Sequence, residues 1–189
     1  IKGIRLRSDF IPAGWSQTRS IRNALLKFKN QGKFIYSYSD FLTQKGYYLA
    51  SVSDSIILNP VGIFEFKGLA SEVLYYKDFQ DKYGVKMEVI RHGKYKSAVE
   101  PYLENTMSEA NRFQISSLLT NIWETLRDEI ALERNINIET LDFLINENKI
   151  GTLDNALDEN LIDGLGYETD VENMINIQLG HCLLYTSDA

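Results

Sequence analysis

Strand and helix signals alternate through the first ninety residues, and this constrains the fold more than any other feature of the chain. Ile4 and Leu6 alternate with Arg5 and Arg7 at period two, and a loop over 8–14 leads into Ile21, Leu25 and Phe28 at helical spacing. Gly32 closes that helix, 34–38 reads as the next strand, and Tyr47, Tyr48, Leu49 and Ala50 read as helix. Residues 55–58 form a short apolar strand that Asn59-Pro60 is expected to stop, because proline has no N–H for the ladder. A further strand over 62–66, a helix over 71–83 and a buried strand over 85–90 complete the pattern. Such alternation predicts an α/β layered fold with mostly parallel pairing.

After Pro101 the character turns helical. Ser108 is placed to cap a long helix whose stripe of Phe113, Leu118, Leu119, Ile122, Trp123, Leu126 and Ile130 is expected to be core. Helices over 138–146 and 153–160 follow, preceded by Asn and Thr at capping positions. Residues 1–180 read as one lobe, and 181–189, which continue no pattern, read as non-native sequence.

Composition excludes several functions. With 189 residues, 44% hydrophobic and 24% charged, the chain is long enough for one sizeable core. A formal charge of -6 provides no field to attract nucleic acid. The basic residues of the first thirty, Lys2, Arg5, Arg7, Arg19, Arg22, Lys27 and Lys29, are dispersed and read as a solvated face. One cysteine, Cys182, leaves no disulfide framework, and one histidine in native-looking sequence, His92, leaves no metal set and no Ser-His-Asp triad. GxGxxG and P-loop spacings are absent, so no cofactor is expected. No segment reaches the roughly 18 apolar residues of a membrane span. The chain opens at Ile1 already in a strand pattern, so an upstream targeting or anchoring segment is left open.

The segment Arg91-His92-Gly93-Lys94-Tyr95-Lys96-Ser97-Ala98-Val99-Glu100-Pro101 follows the expected strand over 85–90, and strand ends are where α/β folds place sites. Small Ser97 and Ala98 beside Lys96 would let packed surroundings enclose its ammonium. Taken alone, Lys96 is one of 20 lysines and arginines, most of which are solvated.

Together with Gly46-Tyr47-Tyr48-Leu49-Ala50-Ser51, the stretch 55–60 and Met107-Ser108-Glu109, this segment resembles the signal peptide peptidase A family over 3–179. The resemblance implies a Clp-protease/crotonase-like fold and a membrane-associated serine protease that cleaves peptides, notably remnant signal peptides, with a lysine as general base. In the family's short form a serine nucleophile precedes the Gly-Gly-Tyr-Tyr segment, and a Ser-Pro-Gly-Gly loop helps form the oxyanion site. Here Gln44 stands where that serine would be, within Thr43-Gln44-Lys45-Gly46-Tyr47-Tyr48, and the loop reads Ile11-Pro12-Ala13-Gly14-Trp15. The combination resembles the N-terminal repeat of the long tandem form, with Lys96 as the catalytic residue, Ser97 and Gly93 as possible support, and the serine on a second repeat.

The resemblance also implies a homo-oligomer, a tetramer in the family, and a bacterial envelope location on the periplasmic side with an N-terminal membrane anchor. A lysine serving as base must be lowered from about 10.4 to roughly 7 to 8, about 4 kcal/mol against the charged form. An interface between two lobes could supply that desolvation, so Lys96 is expected to be more exposed in this chain alone. Ser97 is read either as orienting Lys96 or as a helix cap, Glu100 and Pro101 as turn and helix-start elements, and Tyr47 and Tyr48 as core. Two rival readings are a scaffold repeat in which Lys96 is structural, and a crotonase-type acyl-CoA enzyme, for which Ala13-Gly14 offers a poor oxyanion loop.

Overall fold

The computed structural model describes residues 1–90, 93 and 96–180. The chain divides into two compact units, Ile1–Gly68 with the chain from Leu126 onward, and Leu69–Thr125. The first contains a four-stranded parallel sheet in the order β1-β2-β3-β4, comprising β1 (Gly3–Arg7), β2 (Phe34–Leu42), β3 (Ser55–Phe64) and β4 (Gly164–Leu165). Helix α1 (Trp15–Lys29) and helix α2 (Gln44–Ala50) supply the first two of its three crossovers.

The alternation in β1 decides the layers. Side chains on a strand point alternately to opposite faces. Ile4 and Leu6 pack with Leu26 and Phe28 of α1 onto the buried cluster Leu25, Ile35 and Val52. Arg5 and Arg7 point the other way, to Glu168 and Glu172 of helix α8 (Glu168–Gln178), with Arg5 Nη1 2.8 Å from Glu172. Helices therefore cover both faces, as the parallel pairing requires.

The buried line of α1 is Thr18, Arg22 and Leu25, while Ile21 is exposed. Arg22 is thus no part of a solvated face, correcting that expectation. Its guanidinium donates to Tyr48 O, to Ser51 Oγ at 2.7 Å and to Glu129 O at 2.8 Å, and lies 4.7 Å from the Tyr48 ring centre. Burial pushes its pKa down from the ordinary arginine value. Tyr48 OH donates to Glu129, so one buried knot joins α1, α2 and helix α5 (Glu109–Arg134).

Asn59-Pro60 does not stop β3. The ladder runs Ser39 opposite Leu58 and resumes at Phe41 opposite Ile63, so β3 advances five residues while β2 advances two. This bulge takes up Pro60, which has no N–H for the ladder, while the Asn59 side chain accepts the Val61 N–H at 3.0 Å. A Cβ at Gly62 would lie 2.5 Å from Asp40 O, so only glycine fits there. The two predicted strands are one.

The remainder of the first unit follows the capping signals. Helix α6 (Ile138–Asn146) starts at Asn137, whose side chain accepts from Glu139 N–H, and helix α7 (Leu153–Asp158) at Thr152, which accepts from Asn155 N–H. Arg134, near the end of α5, holds the carboxylate of Asp163 through two bonds of 2.7 and 3.0 Å. Asp163 in turn accepts from Ile56 N–H at 2.7 Å.

The second unit departs most from expectation. Helix α3 spans only Lys77–Tyr83, because Tyr76 N–H donates to Pro101 O at 2.7 Å instead of continuing a helical ladder upstream. Residues 85–90 form no strand. Val85, Met87 and Ile90 are exposed, and the described sheet gives them no neighbour. Short helix α4 spans Glu100–Leu103. The α5 stripe is core only at its C-terminal end, where Leu126 and Ile130 are buried, whereas Phe113 and Leu118 are exposed.

Candidate functional site

The lysine loop lies in the second unit and is built backward from α4. Glu100 is 2% exposed. Its carboxylate accepts from Ser108 Oγ–H at 2.6 Å, Ser108 N–H at 3.4 Å and the Asn111 side-chain amide at 3.0 Å. Ser108 Oγ accepts in turn from Asn111 N–H at 3.2 Å, which caps the start of α5 as its sequence position predicts. From the other side, Gln80 Nε2 donates to Tyr102 O at 3.1 Å, and Tyr76 stacks on Tyr102 with ring centres 5.7 Å apart. A buried carboxylate, an amide and an aromatic pair thus grip α4.

Four residues before Glu100, Lys96 leaves this anchor on a tight turn. Gly93 has φ +105°, a conformation that favours glycine, and its carbonyl accepts Lys96 N–H at 3.4 Å. Ser97 accepts Glu100 N–H at 2.9 Å through its carbonyl. The cap position of α4 is Val99, without a side-chain bond, so the cap reading of Ser97 fails. The Lys96 side chain is exposed. Arg91, His92, Lys94 and Tyr95 of the same segment lie outside the described residues, as do 181–189.

The start of α2, where the resemblance puts the nucleophile position, lies in the first unit. Thr43 caps the helix by accepting Gly46 N–H at 3.1 Å. A Cβ at Gly46 would meet Ser8 O at 2.0 Å, so glycine lets α2 close onto the end of β1. Tyr47 and Tyr48 are both fully buried, as expected of core. Tyr47 sets its edge against Phe64 and Phe66, with ring centres 4.9 and 5.0 Å away. Burial pushes both phenols above the ordinary tyrosine pKa, and for Tyr48 the bond to Glu129 adds to it.

At the start of this helix the side chains of Gln44 and Lys45 are already engaged, whereas the buried Tyr47 hydroxyl has no hydrogen-bond partner among the described residues. Gln44 Oε1 accepts two backbone N–H groups, from Lys67 at 3.1 Å and Gly68 at 2.9 Å. Gly14 N–H donates to Gln17 Oε1 at 3.1 Å. Lys45 Nζ donates to Ala13 O at 2.6 Å over the face of Trp15. The Ala13-Gly14 loop is therefore organised as a helix start. An oxyanion hole needs N–H groups aimed at open space, and the Gly14 donor faces a side chain of its own helix.

Sequence reading missed Arg22, Glu100 as a buried anchor, and the Gln44 bonds. For Arg22 the signal was present in the spacing of Thr18, Arg22 and Leu25. For the other two it was not, because their partners lie 8 to 24 residues away and only the fold brings them together.

A parallel sheet covered on both faces, with an anchored lysine loop, defines the chain as an α/β protein of layered type. It belongs to peptidase family S49, whose model matches residues 27–180, and so to the signal peptide peptidase A proteins that its motifs resemble. Protease 4 of Salmonella typhi is 34% identical over 179 residues, 91% of this chain and 29% of that protein. Protease 4 of Haemophilus influenzae is 40% identical over 116 residues, covering 61% of this chain and 19% of that protein. The chloroplastic serine protease SPPA of Arabidopsis thaliana is 29% identical over 180 residues, covering 95% and 26%. The chain spans less than a third of the length of each of these relatives.

Proposed function

We propose that this chain is the lysine-supplying repeat of a tandem serine protease that degrades peptides, remnant signal peptides among them. The serine would come from a second repeat. The observation that carries the reading is the contrast between two positions. Gln44, at the place of the family's nucleophile, offers no hydroxyl and has its oxygen bound to backbone. Lys96 stands exposed four residues before Glu100, whose buried carboxylate anchors α4.

In the assembled site, neutral Lys96 takes the proton from the partner serine as its oxygen attacks the scissile carbonyl. It then returns that proton to the leaving amine. The partner lobe supplies the desolvation that an exposed lysine lacks. The exposed Val85, Met87, Ile90, Phe113 and Leu118 are consistent with such a lobe covering part of this unit. Assembly as a homo-oligomer, a tetramer by family likeness, and attachment to the bacterial envelope through a further segment belong to the same proposal. Among the described residues no helix is long and apolar enough to cross a membrane.

The test compares peptidase activity of the complete gene product, its Lys96→Ala variant and this chain alone. Activity only in the unaltered complete protein supports the half-site reading. Retention of activity by Lys96→Ala would make this repeat a scaffold.

A further inference from the structure

We infer that Gln44 is a positioning residue, a backbone clamp on the stem from which the lysine-bearing unit departs; this extends the proposed function. Position 44 is the first residue of α2, and Thr43 and the Gly46 contact with Ser8 O hold that helix start in place. From there the Gln44 carbonyl oxygen accepts the N–H groups of Lys67 and Gly68 together, at 3.1 and 2.9 Å.

Those two amides lie at the last residues before the chain leaves the first unit at Gly68. Gly68 has φ +80°, and a Cβ there would press to 3.3 Å on Ile145. The stem thus makes a left-handed turn in a close space, and its part-buried Gly68 amide takes its acceptor from outside its own segment. Lys67 N–H is exposed, so the ladder of β3 and β2 is already behind it; Glu65 N–H, bonded to Leu42 O at 2.9 Å, continues that ladder one residue past β3. One side-chain oxygen that binds consecutive amides fixes the direction in which the next segment starts. Serine at position 44 would be too short by two heavy atoms to reach them. Gln44, where the resemblance puts the nucleophile, therefore serves as a backbone acceptor that holds the last residues of the first unit.

Two measurements test this. Amide exchange is followed at Lys67 and Gly68 in this chain for the unaltered protein, Gln44→Leu, which keeps the size and loses the acceptor, and Gln44→Glu, which keeps an acceptor oxygen. We expect both amides to exchange about 3- to 10-fold faster in Gln44→Leu and to return close to the unaltered rate in Gln44→Glu, as loss of one modest hydrogen bond implies. Unchanged exchange in Gln44→Leu, with the Ile35 amide still protected to show a folded sheet, overturns the clamp. In the complete protein the same variants are compared in peptidase kinetics. A lower kcat at constant KM in Gln44→Leu, restored by Gln44→Glu, supports the positioning role, whereas kcat equal to the unaltered protein overturns it. The exchange arm needs no activity, so failure of the clamp and failure of Lys96 as the base are read separately.

Discussion

Replacing Glu100 by leucine tests whether the lysine loop is held by the buried carboxylate beneath it. The side chain is 2% exposed, and two of its bonds, 2.6 Å from Ser108 Oγ and 3.0 Å from the Asn111 amide, are made to a charged acceptor. Bonds of that kind contribute about 1.5–3 kcal/mol each, so losing both costs about 3–6 kcal/mol. Burying leucine methyl groups at the same place returns about 1–2 kcal/mol. The net loss is about 2–4 kcal/mol, carried by local opening of α4 and the first turn of α5. The assay is amide exchange at Glu104, whose N–H donates to Glu100 O, and at Asn111, whose N–H donates to Ser108 Oγ. At 1.4 kcal/mol per tenfold, both should exchange about 30- to 700-fold faster, with the Ile35 amide of the sheet unchanged. Glu100→Gln retains one acceptor oxygen and should fall between. Unaltered exchange at Glu104 and Asn111 in Glu100→Leu would refute the reasoning, because the anchor would then lie elsewhere.

Four further outcomes follow from the first unit. Arg22→Ala removes the buried guanidinium's bonds to Tyr48 O, Ser51 Oγ and Glu129 O and leaves its volume empty, and should cost about 3–5 kcal/mol. At about 2–4 °C per kcal/mol for a chain of this size, thermal unfolding should shift down by about 6–20 °C. Gly46→Ala forces a Cβ to within 2.0 Å of Ser8 O and should lose about 1–3 kcal/mol or more in the same assay. Gly14→Ala, whose Cβ meets only Gln17 Oε1 at 3.8 Å, should leave stability nearly unchanged. Asp9 is raised by partial burial, but the bond from Arg7 and the N–H groups of Phe41 and Asp40 outweigh this and hold its pKa below 3.8. A depressed folded value stabilises above the unfolded pKa and is lost as pH falls through the folded one. Acid titration followed by circular dichroism should therefore show an unfolding limb below about pH 4 that is shallower in Asp9→Asn.

Several local signals in the sequence are legible because the partner is also local. The caps at Ser108, Asn137 and Thr152 and the buried pair Tyr47 and Tyr48 follow from spacing and residue type alone. Errors arose where a distant backbone decides. Pro60 signals a strand end, yet Asn59 and Gly62 let β3 bulge past Asp40 and continue. Residues 85–90 have strand composition, but a strand needs a neighbour, and composition does not show whether one is present. The α5 stripe has core periodicity along its length, while Phe113 and Leu118 stand exposed. Lys96 is visible only through its family motif. The bonds that fix its loop come from Glu100, Ser108 and Asn111, which no periodicity links.

The lysine-bearing unit is inserted within the other in chain order, and this bears on how the protein is made. The outer flank of β3 pairs with Gly164 and Leu165, and Ile56 N–H waits for Asp163. Counting from Phe64 at the end of β3 to Gly164, 100 residues must be synthesised first. At about 5–20 residues per second the ribosome takes about 5–20 s over that stretch. For that interval a three-stranded sheet stands with the β3 edge unpaired, and the inserted Leu69–Thr125 unit is synthesised within it, 39 residues before Gly164. The nascent chain thus carries the whole Lys96-bearing unit before its own sheet gains β4.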